Sequence, residues 1–426
     1  MKKFLAILLA AILLIGVTAC GSSSETSSNV ADESNNAVNN ESVEVAQGVT
    51  DTTVTVANSL PTTGAYGIIG GPFKLGMDAY FKMINDAGGI AGRKIEYITA
   101  DDEFDGEKGA AALKKFVEQD KVFAIVGHFG TPTVSATLDY LNQTGIPTVY
   151  LATGIGELYN ENATAGNGKN IFPVQPIYNM EGRIMTSYAK GYFQAQKIGV
   201  IYTTDDAGKN FLAGIEQEAQ KLGVEIVAEA IEPSSYAITA QIAKMKECDM
   251  VIAACIQATF PLVIAEMERQ EIIIPVITSY VNVSAVFTAT TGPYVQDLMK
   301  SDDAGIYGLG WADMSPSEDL TLFNGYMTAI GATDEEINSY AISGWIAAAF
   351  FCEGLERVGD KPLTWENYIT AMEQSPIKNP FGGYIDYSNG QRLGTQEMNL
   401  GRMDDTIDGG WIEIQPIQDM QSILVS

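Results

Sequence analysis

Short apolar runs alternate with amphipathic segments along the chain from residue 52 onwards. The runs have the length of buried strands, and the segments between them carry apolar residues at the 3.6-residue spacing of helices. Up to residue 151, this pattern predicts strands at residues 54–58, 94–100, 122–126 and 147–151, and helices at residues 73–87, 106–119 and 133–144. Regular alternation of this kind predicts an α/β fold, with a parallel sheet covered by helices on both faces.

The alternation breaks at residues 160–170, which are rich in Asn and Gly, and then begins again. The second block is predicted to contain strands at residues 198–203, 225–230, 250–255 and 273–277, and helices at residues 180–194, 208–222, 236–246 and 261–270. Because each block has at least four strands, we predict two doubly wound parallel-sheet lobes. One large α/β sheet is the alternative.

The last third of the chain has a different pattern. It predicts one more strand at residues 306–310, long helices at residues 316–330 and 334–358, and a shorter helix near residues 365–372. Residues 382–414 are typical of strands joined by tight turns, because Gly and Asn recur between short apolar runs.

The first twenty residues have the pattern of a secretory signal peptide. Two lysines precede an almost wholly apolar run at residues 4–17, and small residues follow. The end of this segment, Val17-Thr18-Ala19-Cys20, resembles a bacterial lipobox, in which the cysteine becomes the first residue and carries the lipid. We therefore expect an extracytoplasmic protein that is lipid-anchored to the cell membrane through Cys20. An ordinary signal peptide with an incidental cysteine is the alternative.

Amino-acid composition distinguishes a predicted disordered segment from the folded part of the chain. Residues 21–51 contain no Lys, Arg or aromatic residue, so we predict a disordered tether there. The 426-residue chain is 46% apolar and 18% charged, which is typical of a folded protein. Its formal charge of −28 argues against nucleic acid and against docking on anionic lipid through surface charge.

Residues that could carry catalysis are scarce. His128 is the only histidine, and no G-x-S-x-G turn accompanies it, so we interpret it as structural. The acidic residues 101–106 resemble a calcium loop, but Ala112 stands where that loop needs a glutamate. We predict no catalytic residue, no metal site and no cofactor. Three cysteines beyond the signal are interpreted as small buried apolar residues: Cys248, Cys255 and Cys352.

Two strand ends of the first block have the chemistry of a binding site. Ligands of open α/β sheets lie beyond the carboxyl ends of the strands. After the third predicted strand, Thr131 is suited to cap a helix and Pro132 to begin it, which offers free amides to an anion. After the fourth, Thr153 supplies a hydroxyl and Gly154 permits close backbone approach. Simple caps and turns are the alternative.

One motif resembles a known family. The run Asn85-Asp86-Ala87-Gly88-Gly89-Ile90-Ala91-Gly92-Arg93 precedes a predicted strand, and Asp101-Asp102-Glu103 follows it. It resembles the N-x-x-G-G-I-x-G-R/K signature of the leucine/isoleucine/valine-type substrate-binding proteins of ABC importers. The resemblance extends from about residue 52 to the C-terminus, and the lipobox fits a Gram-positive member.

The resemblance implies a type I periplasmic-binding-protein fold, in which two lobes are joined by a three-strand hinge. The crossings are expected near residues 172–178, 306–314 and 383–386. The first lobe would then contain residues 52–173 and 307–384, and the second lobe residues 174–306 and 385–426. The ligand binds in the cleft, the lobes close over it, and the membrane permease recognises the closed form.

The resemblance also places a ligand carboxylate. The family's site maps onto Thr131, Ala152, and Thr153 or Gly154, with Gly130 beside them. These positions coincide with the two strand ends that residue chemistry alone selects. We therefore expect the first lobe to hold an anionic group of the ligand.

At other ligand-contact positions, this sequence departs from the pattern of the family. Ile69 and Ala207 stand where branched-chain amino-acid binders have tyrosines, and no acid is found in the sequence next to Tyr280, where the family pairs one with the ligand ammonium. A buried ammonium without a carboxylate partner is costly. This favours an amine-free, apolar or aromatic acid, although Asp206 or its neighbour Asp205 is an alternative partner for an amine. The candidate second-lobe contacts are Tyr178, Asp206, Ala207, Gln257 and Tyr280.

We therefore expect a solute-binding lipoprotein that delivers a small carboxylate ligand to the permease and ATPase subunits of an ABC importer. We expect it to be a monomer that touches the membrane through its lipid anchor. One alternative is a ligand-sensing module of the same fold that acts on a signalling partner. Another, less favoured, is an extracytoplasmic enzyme, for which the sequence offers no convincing nucleophile or base.

Overall fold

The computed structural model describes residues 45–407 and 409–425. The predicted signal peptide, Cys20 and most of the predicted tether therefore lie outside the described residues. The strands are β1 (Thr53–Leu60), β2 (Lys94–Asp101), β3 (Ala124–Val126), β4 (Thr148–Val149), β5 (Ile171–Phe172), β6 (Lys197–Thr203), β7 (Glu225–Ile231), β8 (Met250–Ala254), β9 (Val276–Thr278), β10 (Ile306–Gly310), β11 (Ile377–Lys378), β12 (Tyr384–Ile385), β13 (Glu397–Met403) and β14 (Trp411–Asp419).

Helices connect most of these strands, as the alternating pattern predicts. They are α1 (Gly67–Asp86), α2 (Gly106–Glu118), α3 (Thr131–Thr144), α4 (Tyr178–Gly191), α5 (Asp206–Leu222), α6 (Thr239–Ala243), α7 (Phe260–Arg269), α8 (Ala285–Thr291), α9 (Gln296–Lys300), α10 (Glu318–Ala329), α11 (Ser339–Val358), α12 (Trp365–Met372) and α13 (Met420–Val425).

Two main sheets organise these elements. The first has the order β2-β1-β3-β4-β5, and all its strands are parallel. The second has the order β14-β13-β10-β9-β8-β6-β7, in which β6 to β10 are parallel and β13 is antiparallel to both of its neighbours, β10 and β14. We call each sheet with its helices a lobe. The predicted α/β fold with two parallel-sheet lobes is confirmed, and the alternative of one large sheet is wrong.

Small residues allow the helices of the first lobe to pack closely. A Cβ on Gly76 of α1 would lie 1.8 Å from the carbonyl oxygen of Ala341 in α11, and a Cβ on Gly344 would lie 1.9 Å from that of Phe73. The two helices therefore touch along their backbones. Because of this contact α11 belongs to the first lobe, although it follows β10 in the chain.

The predicted elements differ from the observed ones in several places. The helix predicted at residues 236–246 is split into α6 and a short 3₁₀ turn, and α8, α9, α13, β5 and β11 were not predicted. The strand β10 pairs with β9 and β13, so residues 307–310 lie in the second sheet and not in the first lobe, where they were expected.

Three segments connect the lobes, at residues 173–177, 311–317 and 386–396. The backbone amide of Thr395 donates to the carbonyl of Val174 at 2.7 Å, which joins the first and third segments. The amide of Asp313 in the second segment donates to the carbonyl of Phe381 at 2.6 Å. The third crossing begins later than expected, because β12 still pairs with β11 beside the first lobe.

Buried apolar residues fill the space between sheets and helices. Phe73 and Phe350 are buried in the first lobe and Phe260 in the second. Cys248, Cys255 and Cys352 are buried and unpaired, which confirms their interpretation as small apolar residues. Among the described residues, no helix combines the length and apolar character needed to cross a membrane.

Candidate functional site

A cavity lies between the lobes, where the carboxyl ends of parallel strands from both sheets meet. Its free volume is about 820 Å³, including space open to solvent. Eight aromatic residues line it: Phe73, Phe104, Phe129, Tyr150, Tyr178, Tyr280, Trp311 and Tyr340. The polar lining side chains are Thr131, Gln175, Gln257, Ser339 and Ser343. Among the described lining residues, none carries a formal charge.

The first-lobe wall is built around the start of α3. Gly130 is the N-cap residue with φ of 103°, a conformation that favours glycine. Thr131, expected at the cap, is instead the first helical residue, and its buried hydroxyl lies 2.8 Å from that of Thr153. A helix N-terminus leaves backbone amides without partners in the helix, and its dipole favours negative charge. This wall can therefore hold a carboxylate.

Tyr178 closes the back of this anion site. Its backbone amide donates to the carbonyl of Gly154 at 2.6 Å, and a Cβ on Gly154 would lie 2.5 Å from the tyrosine ring. Burial raises the pKa of Tyr178, and contacts with the hydroxyls of Thr131 and Thr153 oppose this rise. The phenol is therefore neutral and adds a hydroxyl to the anion site.

Edge-on and tilted aromatic rings run from the first lobe to the second. The ring centroid of Phe73 lies 5.2 Å from that of Phe129 and 5.7 Å from that of Tyr150. Trp311, in the second crossing, lies 6.4 Å from Tyr150 and 6.2 Å from Tyr280. These rings offer an apolar ligand body a large contact area that spans both lobes.

Three lining residues have backbones in the left-handed region that favours glycine. The φ angles are 65° for Phe104, 57° for Tyr150 and 26° for Gln257. Bulky residues adopt such angles only where the surrounding structure holds them, and these outliers cluster at functional sites. The cavity wall is therefore a place where conformational strain is tolerated.

The second-lobe wall is formed by loops that follow β8 and β9. Gln257 and Tyr280 both line the cavity, as expected for the carboxyl ends of these strands. The hydroxyl of Tyr280 donates to the carbonyl of Pro176 in the first crossing at 3.1 Å. The side-chain oxygen of Gln257 is buried and has no hydrogen-bond partner among the described residues.

A buried acid, Glu181, lies behind Tyr280 in the structure, although no acid lies next to Tyr280 in the sequence. Glu181 of α4 accepts hydrogen bonds from the Tyr280 amide at 3.0 Å and from the Ser279 hydroxyl at 2.8 Å. Burial raises its pKa to about 8, so it is mostly protonated at neutral pH. Glu181 does not line the cavity. The acid comes from a helix about one hundred residues earlier, which strand-end reasoning cannot reveal.

His128 lies in a buried network behind the first-lobe wall. The hydroxyl of Ser59 donates to Asp102 at 2.7 Å and lies 3.3 Å from Nδ1 of His128, whose Nε2 lies 3.0 Å from the hydroxyl of Thr137. Burial lowers the pKa of His128 to about 4 and raises that of Asp102 to about 6. The network joins β1 and the end of β2 to the β3–α3 loop and to the middle of α3, which agrees with a structural histidine.

The structure brings some predicted site residues together and leaves others apart. Gly130, Thr131, Ala152, Tyr178, Gln257 and Tyr280 line the cavity. Thr153 and Gly154 stand directly behind Thr131 and Tyr178. Ile69, Asp206 and Ala207 do not line the cavity. Ile69 and Ala207 are buried in helices, because their apolar side chains pack into the cores.

Asp206 has a partner in the other lobe. The exposed hydroxyl of Ser135 in α3 donates to its carboxylate at 2.9 Å. Nearby, the side-chain oxygen of Asn210 accepts from the amide of Gly156 at 2.7 Å. These hydrogen bonds join the lobes at the rim of the cleft, outside the cavity.

Sequence reasoning missed most of the aromatic lining. Trp311 follows β10 directly, so the strand-end rule could have found it. Tyr340 and Ser339 begin α11, and their hydroxyls donate to the carbonyls of Val281 at 2.7 Å and Val283 at 3.0 Å in the second lobe. Nothing in the local pattern indicates that this helix start reaches the cleft.

Comparison with known protein families shows to which family of α/β proteins this chain belongs. The sequence pattern of the periplasmic binding protein family matches residues 53–410. The chain belongs to the periplasmic binding protein family. The resemblance noted in the sequence is therefore confirmed, and membership implies a location outside the cytoplasm.

The curated relatives of this chain are named for amino acids. A Leu/Ile/Val-binding protein homolog 1 from Brucella suis is 27% identical over 256 residues, or 58% of this chain and 66% of that one. An amino acid binding protein from Pseudomonas aeruginosa matches over 49% of its length. The chain thus spans about half to two thirds of the curated relatives it matches.

Solved structures show the same fold at low identity. A fatty acid ABC transporter substrate-binding protein from Thermomonospora curvata has a TM-score of 0.77 at 20% identity, covering 90% of this chain and 96% of that one. A branched-chain amino acid ABC transporter protein from Thermus thermophilus with bound valine has a TM-score of 0.76 at 16% identity, covering 89% and 100%. These likenesses establish the two-lobed fold and leave the ligand open.

Proposed function

We propose that this periplasmic binding protein captures an amine-free, largely apolar carboxylate between its lobes and delivers it to an ABC importer. The observation that carries the proposal is the cavity wall itself. It combines a helix N-terminus with aromatic rings, and its described lining residues carry no formal charge.

The carboxylate would bind at the first-lobe wall. Hydroxyls of Thr131 and Tyr178 and the free amides at the start of α3 supply neutral donors there. A hydrogen bond to a charged group contributes about 1.5–3 kcal/mol, so several such donors offset the loss of hydration. The negative charge needs no lysine or arginine, as at other anion sites on helix N-termini.

An ammonium group has no comparable partner in the cavity. Glu181 is a buried acid behind the second-lobe wall, but both of its oxygens accept protein hydrogen bonds and its raised pKa leaves it mostly neutral. Asp206 points to Ser135 at the rim. A buried, unpaired ammonium is strongly unfavourable, which is why we favour acids over the amino acids named for some relatives.

The described arrangement is that of closed lobes. Hydrogen bonds cross the cleft from Ser135 to Asp206, from Gly156 to Asn210 and from Tyr340 to Val281. Closure buries the ligand and brings residues of both lobes to one outer surface, as in hinge-closing proteins. A permease that recognises this closed surface would receive only loaded protein. The binding role needs no catalytic residue.

A ligand panel tests the proposed binding function. The purified protein would be heated with aliphatic acids, aromatic acids, 2-oxo acids, the twenty amino acids, and the primary amide of each amine-free acid. A ligand at 100 times its dissociation constant adds roughly 2.7 kcal/mol of stability. We expect amine-free acids to raise the melting temperature and their amides to leave it unchanged. No shift with any carboxylate, or equal shifts with acids and amides, would refute the proposal.

The lipid anchor needs its own test. We propose that Cys20 carries the lipid and that residues 21–51 tether the folded lobes to the membrane. The variant Cys20→Ser should move the protein from the membrane fraction to the soluble fraction, while Cys248→Ser should leave it at the membrane. Retention of Cys20→Ser at the membrane would contradict the lipid anchor without affecting the binding proposal.

A further inference from the structure

We infer that the ligand carries a neutral hydroxyl or amide group at the end remote from its carboxylate, and that Gln257 binds this group. The inference rests on the proposed function, because it assumes a carboxylate at the first-lobe wall. Gln257 follows β8 of the second sheet, whereas Thr131 begins α3 beside the first sheet. The two residues therefore face the ligand from opposite lobes.

Gln257 is a polar lining residue with unused hydrogen-bonding capacity. The residue is 5% exposed, and its side-chain oxygen has no partner among the described residues. A buried amide without a hydrogen bond costs about 1–3 kcal/mol. Such a residue is retained at a cavity wall when something that enters the cavity bonds to it.

The neighbouring polar groups are already used within the protein. The hydroxyls of Tyr280, Tyr340 and Ser339 donate to backbone carbonyls of Pro176, Val281 and Val283. These bonds use the hydroxyl protons of Tyr280 in the second lobe and of Tyr340 and Ser339 in the first. The remaining lining residues on the second-lobe wall are apolar, as Ile256 is. A polar ligand group that reaches the second lobe therefore meets Gln257.

The backbone of Gln257 supports the same conclusion independently. Its φ of 26° lies in a region that glutamine rarely adopts. Strained backbones persist where the surrounding structure enforces them, and they often orient a functional side chain. An apolar residue in an ordinary backbone conformation would pack better at this position. The strained backbone and the unbonded amide of Gln257 therefore both indicate a role in ligand binding.

The chemistry of an amide selects the ligand group. A carboxamide offers one accepting oxygen and a donating NH₂ group, so a hydroxyl or an amide can complement it in either orientation. A plain alkyl or aryl end would leave the Gln257 oxygen without a bond. An ammonium would bond to that oxygen but would keep an uncompensated charge in an uncharged cavity.

Matched pairs of acids test the inference by calorimetry on the intact protein. The pairs are 3-phenylpropanoate with each of its ring-hydroxylated isomers, and hexanoate with 6-hydroxyhexanoate and 6-amino-6-oxohexanoate. In the native protein, we expect at least one hydroxyl- or amide-bearing acid to bind at least about tenfold more tightly than its plain partner. In Gln257→Met, which keeps the length and removes the amide, the ratio should fall to about one while the plain acid binds at least as tightly.

The controls separate this inference from the proposed function. Gln270→Met removes an amide outside the cavity and should leave the ratio unchanged, and melting temperatures confirm that both variants fold. Should Gln257→Met be unstable, Gln257→Leu gives the same comparison. Plain acids that bind as tightly as every substituted partner would overturn the inference and leave the proposed function intact. If no acid binds at all, both fail.

Discussion

The two walls of the cleft are built from different kinds of residue. The first-lobe wall uses short side chains and backbone at the start of α3, with Gly130 and Gly154 permitting close approach. The second-lobe wall uses long side chains, of which Tyr280 is fixed to Pro176 and Gln257 is unbonded. A backbone site suits a group that different ligands have in common, such as a carboxylate. Side chains, which can be substituted during evolution, suit the part that differs from one ligand to another.

The acids behind the walls differ in the same way. Asp102 takes part in a network with Ser59 and His128 that holds the loop before α3. Glu181 holds the loop that carries Tyr280. Both carboxyl groups position a wall from behind, and neither lines the cavity.

The largest expected effect is that of Gly154→Ala on the first-lobe wall. The new Cβ would lie 2.5 Å from the Tyr178 ring and 2.9 Å from the carbonyl oxygen of Pro176, so the ring must leave the anion site. We expect carboxylate affinity to fall at least about 100-fold, or about 2.7 kcal/mol, when measured by calorimetry. Gly325→Ala, where a Cβ meets nothing within 4 Å, is the control and should bind normally. Normal binding by Gly154→Ala would show that Tyr178 does not form the site.

Thr131→Val should have the next largest effect. The variant keeps the shape of the side chain and removes a hydroxyl that lines the cavity. Loss of one hydrogen bond to a charged group costs about 1.5–3 kcal/mol, so we expect roughly tenfold to 100-fold weaker binding of the carboxylate in a titration. Thr328→Val on the exposed face of α10 should change nothing. A similar loss of affinity for a neutral amide analogue would argue against an anion at Thr131.

Glu181→Gln tests the second-lobe wall through pH. Burial raises the pKa of this carboxyl from 4.5 to about 8 in the folded protein. Between these values the folded state binds more protons than the unfolded state, so Glu181 makes stability fall as pH rises from about 4.5 to about 8. Denaturant unfolding at several pH values should show a shallower fall in the variant. Carboxylate affinity at neutral pH should change less than about threefold, whereas a large, selective loss of amino-acid binding would make Glu181 an ammonium partner.

The smallest effect is expected at the rim of the cleft. Asp206→Asn weakens an exposed hydrogen bond to Ser135 that joins the lobes. Exposed polar pairs contribute less than about 1 kcal/mol, so affinity should fall by no more than about fivefold, equally for acids and amino acids. If the same titration showed a larger loss of affinity for amino acids than for amine-free acids, Asp206 would be assigned to the ligand site.

Sequence reasoning located the first-lobe wall better than the second, for a physical reason. Thr131 and Ala152 follow strands of one continuous alternating block, and the strand-end rule places such residues together. The second-lobe wall also draws on Glu181 and on Trp311 and Tyr340, whose elements come from distant parts of the chain. Their positions depend on how helices and crossings pack, which no local pattern encodes.

The fold itself could be predicted almost element by element, because buried parallel strands and amphipathic helices have strong periodic signals. The main difference between prediction and structure is the sheet to which β10 belongs. The sequence pattern of a strand that ends one lobe is the same as that of a strand that begins the next. The short helices α8 and α9 were missed because five to seven residues are too few to show a helical period.

We propose above all that the cavity prefers a carboxylate without an amine. The most direct test is calorimetry at neutral pH with each apolar amino acid and the amine-free acid of the same carbon skeleton, such as phenylalanine with 3-phenylpropanoate and leucine with 4-methylpentanoate. We expect the amine-free member of every pair that binds to be at least about tenfold tighter. Tighter binding of the amino acid in any pair would contradict the proposal.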